Sequence, residues 1–398
     1  MVKKENTIVL GVTGSIAAYK AAELASRFAR EGFRVDVIMT ESAQQFISPL
    51  TFRNITGRPV VTTMWDLASE FSVEHVALAE AADVVLVAPA TANIIAKMAC
   101  GMADDMLSCT VLATRAPVVI APAMNDNMWS NPVTRENVAK LAKRGFIFVG
   151  PSRGRLASGK MGLGRLTGLD EIYGITLQVL GRKGDLAGKH IVVTAGGTQE
   201  PVDPVRCLTN HSSGKMGYAV AEAARNRGAQ VTLISAPTAL AAPAGIRVVG
   251  VKTAEEMLKA VEDAVKKADV LVMAAAVADF RPVKAAGKKI KRADLSDLTL
   301  ELEKTPDILS QVKGDFIRVG FAAESHDVVA NAREKVKRKG LDLIVANDIT
   351  EKDCGFGTET NRVAIIDGKG KSEELPLLPK GEVADRILDR LLTMLKSR

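Results

Sequence analysis

The sequence predicts an α/β protein made of two Rossmann-like, open and mainly parallel sheets with helices on both faces. Three observations carry this. The chain has 398 residues, too many for one ordinary core and enough for two domains of about 200 residues each. It is 47% apolar but only 4% aromatic, a mix that suits buried parallel strands under helices better than a β-sandwich. Short apolar runs also alternate with helical patterns twice over, and each series opens on strand, glycine turn and helix.

The first series starts at residues 6–12, an apolar run ending in Thr13-Gly14-Ser15. Ala17, Ala21, Leu24, Ala25 and Phe28 then recur at helical spacing until Gly32 stops them. Further buried strands are expected at 34–40, 83–89, 117–123 and 146–150, joined as right-handed βαβ units. A helix ends at 175–180, and residues 181–189 read as a short polar, glycine-rich connector. The scheme restarts at His190, so the expected domains are 1–189 and 190–398. Later strands are expected at 190–198, 229–237, 268–280, 317–325 and 342–349, with an extra strand at 361–367 and a final amphipathic helix over 382–396.

Several function classes are excluded. The N-terminal apolar stretch is broken by glycines and feeds a helix, so it reads as a first strand rather than a signal peptide. No apolar run approaches the roughly 20 residues that span a bilayer. Cys100, Cys109, Cys207 and Cys354 lack CxxC spacing, which argues against a disulfide framework or structural zinc and fits a soluble protein of the reducing cytoplasm. The net charge of +7 comes without a basic tail, stacking aromatics or a nucleic-acid motif, so small anionic ligands account for it better than nucleic acid.

Ligands of open α/β sheets sit outside the carboxyl ends of the strands, so the loops there are the places to read. Residues 11–20, "GVTGSIAAYK", set Gly14 and Ser15 at a helix N-terminus, where N–H groups and the helix dipole favour phosphate; a plain tight turn with a capping serine fits equally. Thr91 and Asn93 follow another strand, and "PAMNDNMW" (122–129) follows a third. That run is too polar for a simple core segment. His75 opens an apolar helix, where a lone histidine is ordinarily a surface residue. In the second half, residues 193–217 offer a glycine turn followed by Asp203, Arg206, Asn210, His211, Ser212 and Lys215. The "SSGKMG" within it departs from a P-loop at Thr209 and Met216. Small residues at 274–278 permit close backbone approach, and Asp279 can hold a ribose or a metal. The basic run Lys288, Lys289, Lys291, Arg292 is a solvated loop in the ordinary case. Lys335 and Lys339 stand four apart on one helical face, where they could grip a triphosphate.

Residues 11–20, 74–105 and 122–129 together resemble the flavin-dependent cysteine decarboxylase family. With the second half attached, essentially the whole chain is similar to the bifunctional phosphopantothenoylcysteine decarboxylase/phosphopantothenate–cysteine ligases of coenzyme A synthesis. The resemblance implies that Gly14 and Ser15 hold an FMN phosphate, with Thr40, Thr91 and Asn93 in support. It implies His75 as the acid–base residue beside the flavin and Asn125 as the group orienting the substrate carboxylate. Hydride removal from the carbon bearing sulfur would create the electron sink for loss of carbon dioxide, and the hydride would then return.

For the ligase half, the resemblance implies CTP and a divalent metal, Mg²⁺ or Mn²⁺, activating 4′-phosphopantothenate as an acyl cytidylate that cysteine attacks. Met273, Ala274, Ala275, Asp279, Lys289, Pro306, Asp307, Ile308, Leu309, Phe321, Lys335 and Lys339 would contact CTP, with Asp279 also on the metal. Asn210 would stabilise the acyl cytidylate, Arg206 would bind the substrate, and Lys289 would act in catalysis. Decarboxylase trimers and ligase dimers would combine into a homo-oligomeric dodecamer, with no nucleic-acid or membrane partner. Relatives that bind protein phosphatases are disfavoured by the attached ligase and by His75 and Asn125.

Residues 154–164, "GRLASGKMGLG", correspond to the family's substrate-clamping flap, with the glycines expected as hinges and Lys160 closing on substrate. Ser158 departs from the family, whose better-known members carry there a cysteine that donates the final proton. A serine hydroxyl is a far weaker acid than a thiol. An introduced substitution, a natural variant with another proton source and a stalled second half-reaction all stay open. The last would leave the ligase active and the decarboxylase impaired.

Overall fold

The computed structural model describes residues 6–65, 74–291, 298–324, 326–348, 354–355 and 357–397. Arg292, Ser325 and Ile349, within segments named above, lie outside the described residues. The chain divides into two compact units, Met1–Leu180 and Gly181–Arg398.

The first unit is built on six parallel strands: β1 (Thr7–Val12), β2 (Arg34–Met39), β3 (Val60–Val61), β4 (Val84–Ala90), β5 (Val118–Pro122) and β6 (Ile147–Phe148). They lie in the order β3-β2-β1-β4-β5-β6. The near-continuous apolar strands are explained by burial on two sides, since successive side chains alternate faces. Ile8, Leu10 and Val12 face the helices Ala18–Arg30 and Leu169–Gly181 through Leu24, Phe28, Ile172 and Tyr173. Val9, Val85 and Val87 face the other way, onto Ile94, Ile95 and Met98 of helix Ala92–Cys100 and Leu107 of helix Met106–Ala113. Beyond β6 the chain forms an antiparallel hairpin outside the sheet, β7 (Ser152–Arg155) and β8 (Met161–Arg165).

The second unit opens with β9 (His190–Ala195) and a short antiparallel ribbon, β10 (Gln199–Pro201) with β11 (Cys207–Thr209). Strands β12 (Gln230–Ser235), β13 (Arg247–Gly250) and β14 (Val270–Met273) follow, then a second ribbon of β15 (Phe280–Pro282) and β16 (Leu302–Lys304). Next come β17 (Ile317–Glu324), β18 (Leu343–Asp348), β19 (Thr360–Asn361), β20 (Val363–Asp367), β21 (Ser372–Glu374) and β22 (Leu378–Pro379). The main sheet runs β13-β12-β9-β14-β17-β18-β20-β21. It is parallel as far as β18 and antiparallel at β20 and β21.

Helices again cover both faces. Ile191, Val193 and Leu233 pack on Tyr218 and Ala221 of helix Lys215–Asn226 and on Ile387 and Leu391 of helix Lys380–Ser397. Val192, Ile234 and Leu271 pack on Met257 and Val261 of helix Ala254–Ala264. Residues just before β9 belong to this unit: Leu186 is fully buried in its core, and its N–H donates to Arg227 O at 3.0 Å.

One glycine sets how closely a helix can approach the sheet. A Cβ on Gly217 would lie 2.7 Å from Ala195 Cβ and 2.8 Å from Thr194 O. Gly217→Val should therefore destabilise the second unit by about 1–3 kcal/mol, the usual range for overpacking a tight core. Urea unfolding of the full chain checks this; an unchanged midpoint for the second unit would contradict it.

Candidate active sites at the strand ends

In the first unit, the carboxyl ends of β1 and β4 are joined by a side chain. The Thr13 hydroxyl, 2% exposed, donates to Pro89 O at 2.7 Å and accepts the Thr91 N–H at 3.1 Å. Gly14 comes next, and a Cβ there would sit 2.4 Å from Ser42 Cβ. Glycine is needed for this contact. Thr40 and Thr91 each cap a helix, accepting the N–H groups of Ala43 and Ile94, while Asn93 is exposed in the first turn of helix Ala92–Cys100. The strand ends thus bring Gly14, Ser15, Thr40, Thr91 and Asn93 to one edge of the sheet.

Of the two readings open for Ser15, the capping one is not realised. The helix begins at Ala18 with Ala17 in the cap position, and no side chain caps it. The turn runs two residues beyond Ser15: Ser15 O takes the Ala18 N–H at 2.8 Å and its hydroxyl takes the Ala17 N–H at 3.3 Å. His75 is half-buried, the second residue of helix Glu74–Ala81. The chain leaves that helix at the amino edge, where Asp83 N–H donates to Thr7 O. Eight residues at about 1.5 Å rise each carry His75 back toward the carboxyl edge.

Asn125 caps helix Asp126–Ser130, its Oδ1 accepting the Asn127 N–H at 2.9 Å. With that oxygen engaged, the Nδ2 hydrogens are the polarity left to offer, which suits an anion. Trp129 is buried under the Arg135 guanidinium, 4.9 Å from its centroid, whereas Met128 is exposed.

The glycine-rich segment is the β7–β8 hairpin, and it is docked on Asn125. Met124 N–H donates to Gly164 O at 2.8 Å. A Cβ on Gly164 would lie 2.3 Å from Met124 O, and one on Gly162 would lie 2.8 Å from Asp126 Cβ. The expectation that these glycines are hinges is corrected: Gly162 and Gly164 are close-approach contacts, and Gly154 abuts the Arg165 side chain in the same way. Gly159 alone makes the tip turn, at φ +81°. The tip closes through Leu156 N–H to Lys160 O and Gly159 N–H to Leu156 O, both 2.9 Å. Ser158 and Lys160 are exposed there.

In the second unit, two strand-end loops are joined by threonine hydroxyls. The Thr194 hydroxyl accepts the Ala275 N–H at 3.1 Å, and that of Thr198 accepts the Ala278 N–H at 3.0 Å. Asn210 Nδ2 donates to Val277 O at 3.0 Å, which ties Asn210 to the loop carrying Asp279. Thr305 fixes that loop from the other side, donating its N–H to Asp279 O at 3.0 Å. Asp279 itself is exposed, as is Lys289. Met273, Ala274, Ala275, Asp279 and Pro306 therefore converge with Asn210.

The lysines Lys335 and Lys339 do share a helical face, and each holds a carboxylate: Lys335 Nζ is 2.5 Å from Glu324 Oε1, and Lys339 Nζ is 3.3 Å from Asp307. Burial works against ionisation of Asp307, but hydrogen bonds from Ser310 and the Lys339 charge outweigh it and hold its carboxyl below the usual range. Ile308 is buried, Leu309 packs beside it, and Phe321 is partly buried on β17. Arg206 is exposed, and its guanidinium binds Asp203, at 3.0 Å, and Ile290 O. Among the described residues, no group of three or more His, Cys, Asp or Glu side chains could hold a metal.

Sequence reasoning missed Thr13, Thr194, Thr198 and Glu324. Thr13 stands beside Gly14, Thr198 beside the glycine turn, and Thr194 and Glu324 at the ends of strand segments already read, so position at a strand end was the available signal.

Comparison with known proteins bears on both units. Residues 1–181 match the family model described as Flavoprotein, and residues 186–395 match that of the DNA/pantothenate metabolism flavoprotein C-terminal domain. The Coenzyme A biosynthesis bifunctional protein CoaBC of Vibrio vulnificus is 43% identical over 393 residues, covering 98% of each chain. The chain belongs to this family. Its Bacillus subtilis member is 44% identical over 395 residues, covering 98% of this chain and 97% of that one. A crystal structure of the C-terminal domain of a member is 42% identical, covers 54% of this chain and all of that one, and superposes with a TM-score of 0.47. This is therefore a bifunctional enzyme of coenzyme A biosynthesis, with a flavoprotein decarboxylase half and a ligase half. Nothing in these likenesses favours a chain in which ligation alone survives.

Because a Cβ at residue 164 would meet backbone, Gly164→Ala should lift the hairpin off Asn125. Trypsin should then cut at Arg153, Arg155 and Lys160 several times faster than in the parent chain. Equal cleavage rates, followed by mass spectrometry, would show that the contact does not hold the hairpin.

Proposed function

We propose that the second unit joins cysteine to 4′-phosphopantothenate using CTP and a divalent cation, and that the first unit decarboxylates the product to 4′-phosphopantetheine with FMN. The observation that carries this reading is that a flavoprotein domain and a pantothenate-metabolism domain follow one another on a single chain.

The first unit's donors fit a flavin phosphate. The turn at Gly14 and Ser15 offers backbone N–H groups, the hydroxyls of Ser15, Thr40 and Thr91 stand at neighbouring strand ends, and Gly14 leaves no room for a side chain. Bound FMN supplies a hydride acceptor that later returns the hydride. Asn125 orients the substrate carboxylate through its Nδ2 hydrogens, and His75 exchanges a proton near the reacting carbon. The hairpin covers the substrate and excludes water, with Lys160 at its tip. Ser158 relays the last proton from a neighbouring donor, since its own hydroxyl is too weak an acid to replace a thiol.

In the second unit the acid anhydride chemistry needs cations, because two anionic reactants meet. Lys289, Lys335 and Lys339 supply them, with Glu324 and Asp307 yielding their lysines to the triphosphate. Ala274, Ala275 and the Pro306–Leu309 turn receive the nucleoside, and Phe321 packs near it. Asp279 fits a metal that triphosphate oxygens and water mainly hold, for which one carboxylate is enough. Asn210 steadies the acyl cytidylate that cysteine attacks, and Arg206 lies beside the pantothenate end. Decarboxylase trimers and ligase dimers combine into a dodecamer in the reducing cytoplasm, a state in keeping with four free cysteines.

Purified protein given 4′-phosphopantothenate, cysteine, CTP and Mg²⁺ should form 4′-phosphopantetheine; accumulation of 4′-phosphopantothenoylcysteine alone would refute the two-step reading. The two sites should also separate by mutation. His75→Asn should cut decarboxylation of supplied 4′-phosphopantothenoylcysteine by about 10²–10⁴-fold, the usual worth of a general acid–base group, and leave ligation intact. Lys289→Gln should do the reverse. A variant that impairs both reactions equally would contradict the division of labour.

A further inference from the structure

Asp203 is buried, with 4% of its surface exposed, yet no step of the reaction above uses it. Its bonds show what it holds. Oδ1 accepts the N–H groups of Val205 and Arg206, both at 2.8 Å, and so shapes the turn after β10. Oδ2 accepts the Ile290 N–H at 3.2 Å and lies 3.0 Å from the Arg206 guanidinium. That guanidinium donates in turn to Ile290 O. At the other end of the same segment, Ala286 N–H donates to Val202 O at 2.9 Å. The lysine loop is therefore pinned at Ala286 and again at Ile290, and Lys289 projects between the pins. Lys289 is exposed and long, so without the pins its ammonium would sample many positions.

We infer that Asp203 is a positioning residue of the ligase site, which clips the Arg206 turn to the lysine loop and so places Lys289 for the nucleotide. The inference rests on the proposed role of Lys289 in CTP-dependent ligation. A burial penalty opposes the charge on Asp203, but three N–H donors and Arg206 outweigh it and hold the carboxyl below its ordinary range, so the clip is ionised at neutral pH. The second oxygen does the work across the gap. An asparagine with its oxygen in the Oδ1 position keeps the turn and presents an NH₂ group to the Ile290 N–H and Arg206, which opens the clip.

The test uses the full-length protein with Asp203→Asn, Lys289→Gln and the double variant. Asp203→Asn should raise the KM for CTP about tenfold, the scale of one lost charge-assisted hydrogen bond, with decarboxylation of supplied 4′-phosphopantothenoylcysteine unchanged. Trypsin should cut at Lys288, Lys289 and Lys291 several times faster in Asp203→Asn than in the parent. The double variant should ligate no worse than Lys289→Gln alone, because the clip acts through that lysine. Unchanged KM and cleavage would overturn the inference, as would losses that multiply in the double variant. So would a fall in ligation that merely follows unfolding of the second unit by circular dichroism at the assay temperature. If Lys289→Gln impairs ligation but Asp203→Asn does not, only this inference fails. If Lys289→Gln leaves ligation intact, the proposed role of Lys289 fails and the inference falls with it.

Discussion

In each unit, a buried hydroxyl at the point where the strand order reverses holds the site together. The order β3-β2-β1-β4 reverses between β1 and β4, and β13-β12-β9-β14 reverses between β9 and β14. Parallel neighbours splay there, because the loops after them turn to opposite faces, and a crevice opens. Splayed ends leave backbone groups without ladder partners, and such groups cost free energy when buried. Thr13 answers this in the first unit by bonding Pro89 O and Thr91 N–H; Thr194 and Thr198 answer it in the second through Ala275 and Ala278. The crevice is thereby fixed in width, and the loops on either side become one surface. Gly14, Asn210 and Asp279 all stand on loops tied this way.

How much of this was legible in the sequence depends on how local the cause was. The parallel strands were readable because burial on both faces demands apolar residues at every position, and Ile8–Leu10 or Val84–Val87 satisfy that without reference to any partner. The antiparallel strand over 363–367 and the final helix were readable by the same periodic logic. The hairpin was harder. Its glycines suggest freedom until Met124 and Asp126, far from them in the sequence, are seen filling the space a side chain would need. Composition cannot distinguish a glycine that bends from a glycine that admits a neighbour. Of the two readings open for Ser15, capping fails because the helix starts two residues later than that reading requires, a difference at the limit of what propensity resolves.

The lysines show a related limit. Their helical spacing was evident, but the carboxylates they hold lie 11 and 32 residues away, at Glu324 and Asp307. In the nucleotide site proposed above, these pairs change the physical picture. A bare lysine pair would be a pure attraction for phosphate. Two lysines already paired offer only the difference between a triphosphate and a carboxylate as partner, so discrimination between anions rises while raw affinity falls. An anion of lower charge than a triphosphate gains little from displacing Asp307 or Glu324.

The same reasoning joins the two sites in kind. In the first unit the hairpin is seated by close backbone contact at Gly162 and Gly164, and in the second the lysine loop is seated by a buried carboxylate and a guanidinium. Both devices fix the base of a projecting segment and leave its tip, Ser158 in one and Lys289 in the other, facing solvent. A segment held only at its base loses little entropy when its tip meets a ligand, yet it cannot wander out of reach. The hairpin is held by an uncharged backbone hydrogen bond and close glycine contact, so its seating depends little on pH or salt. The carboxylate clip is electrostatic, but its Asp203 end is fully buried, which shields it from salt better than a pair exposed at both ends, so both segments stay seated over a range of salt.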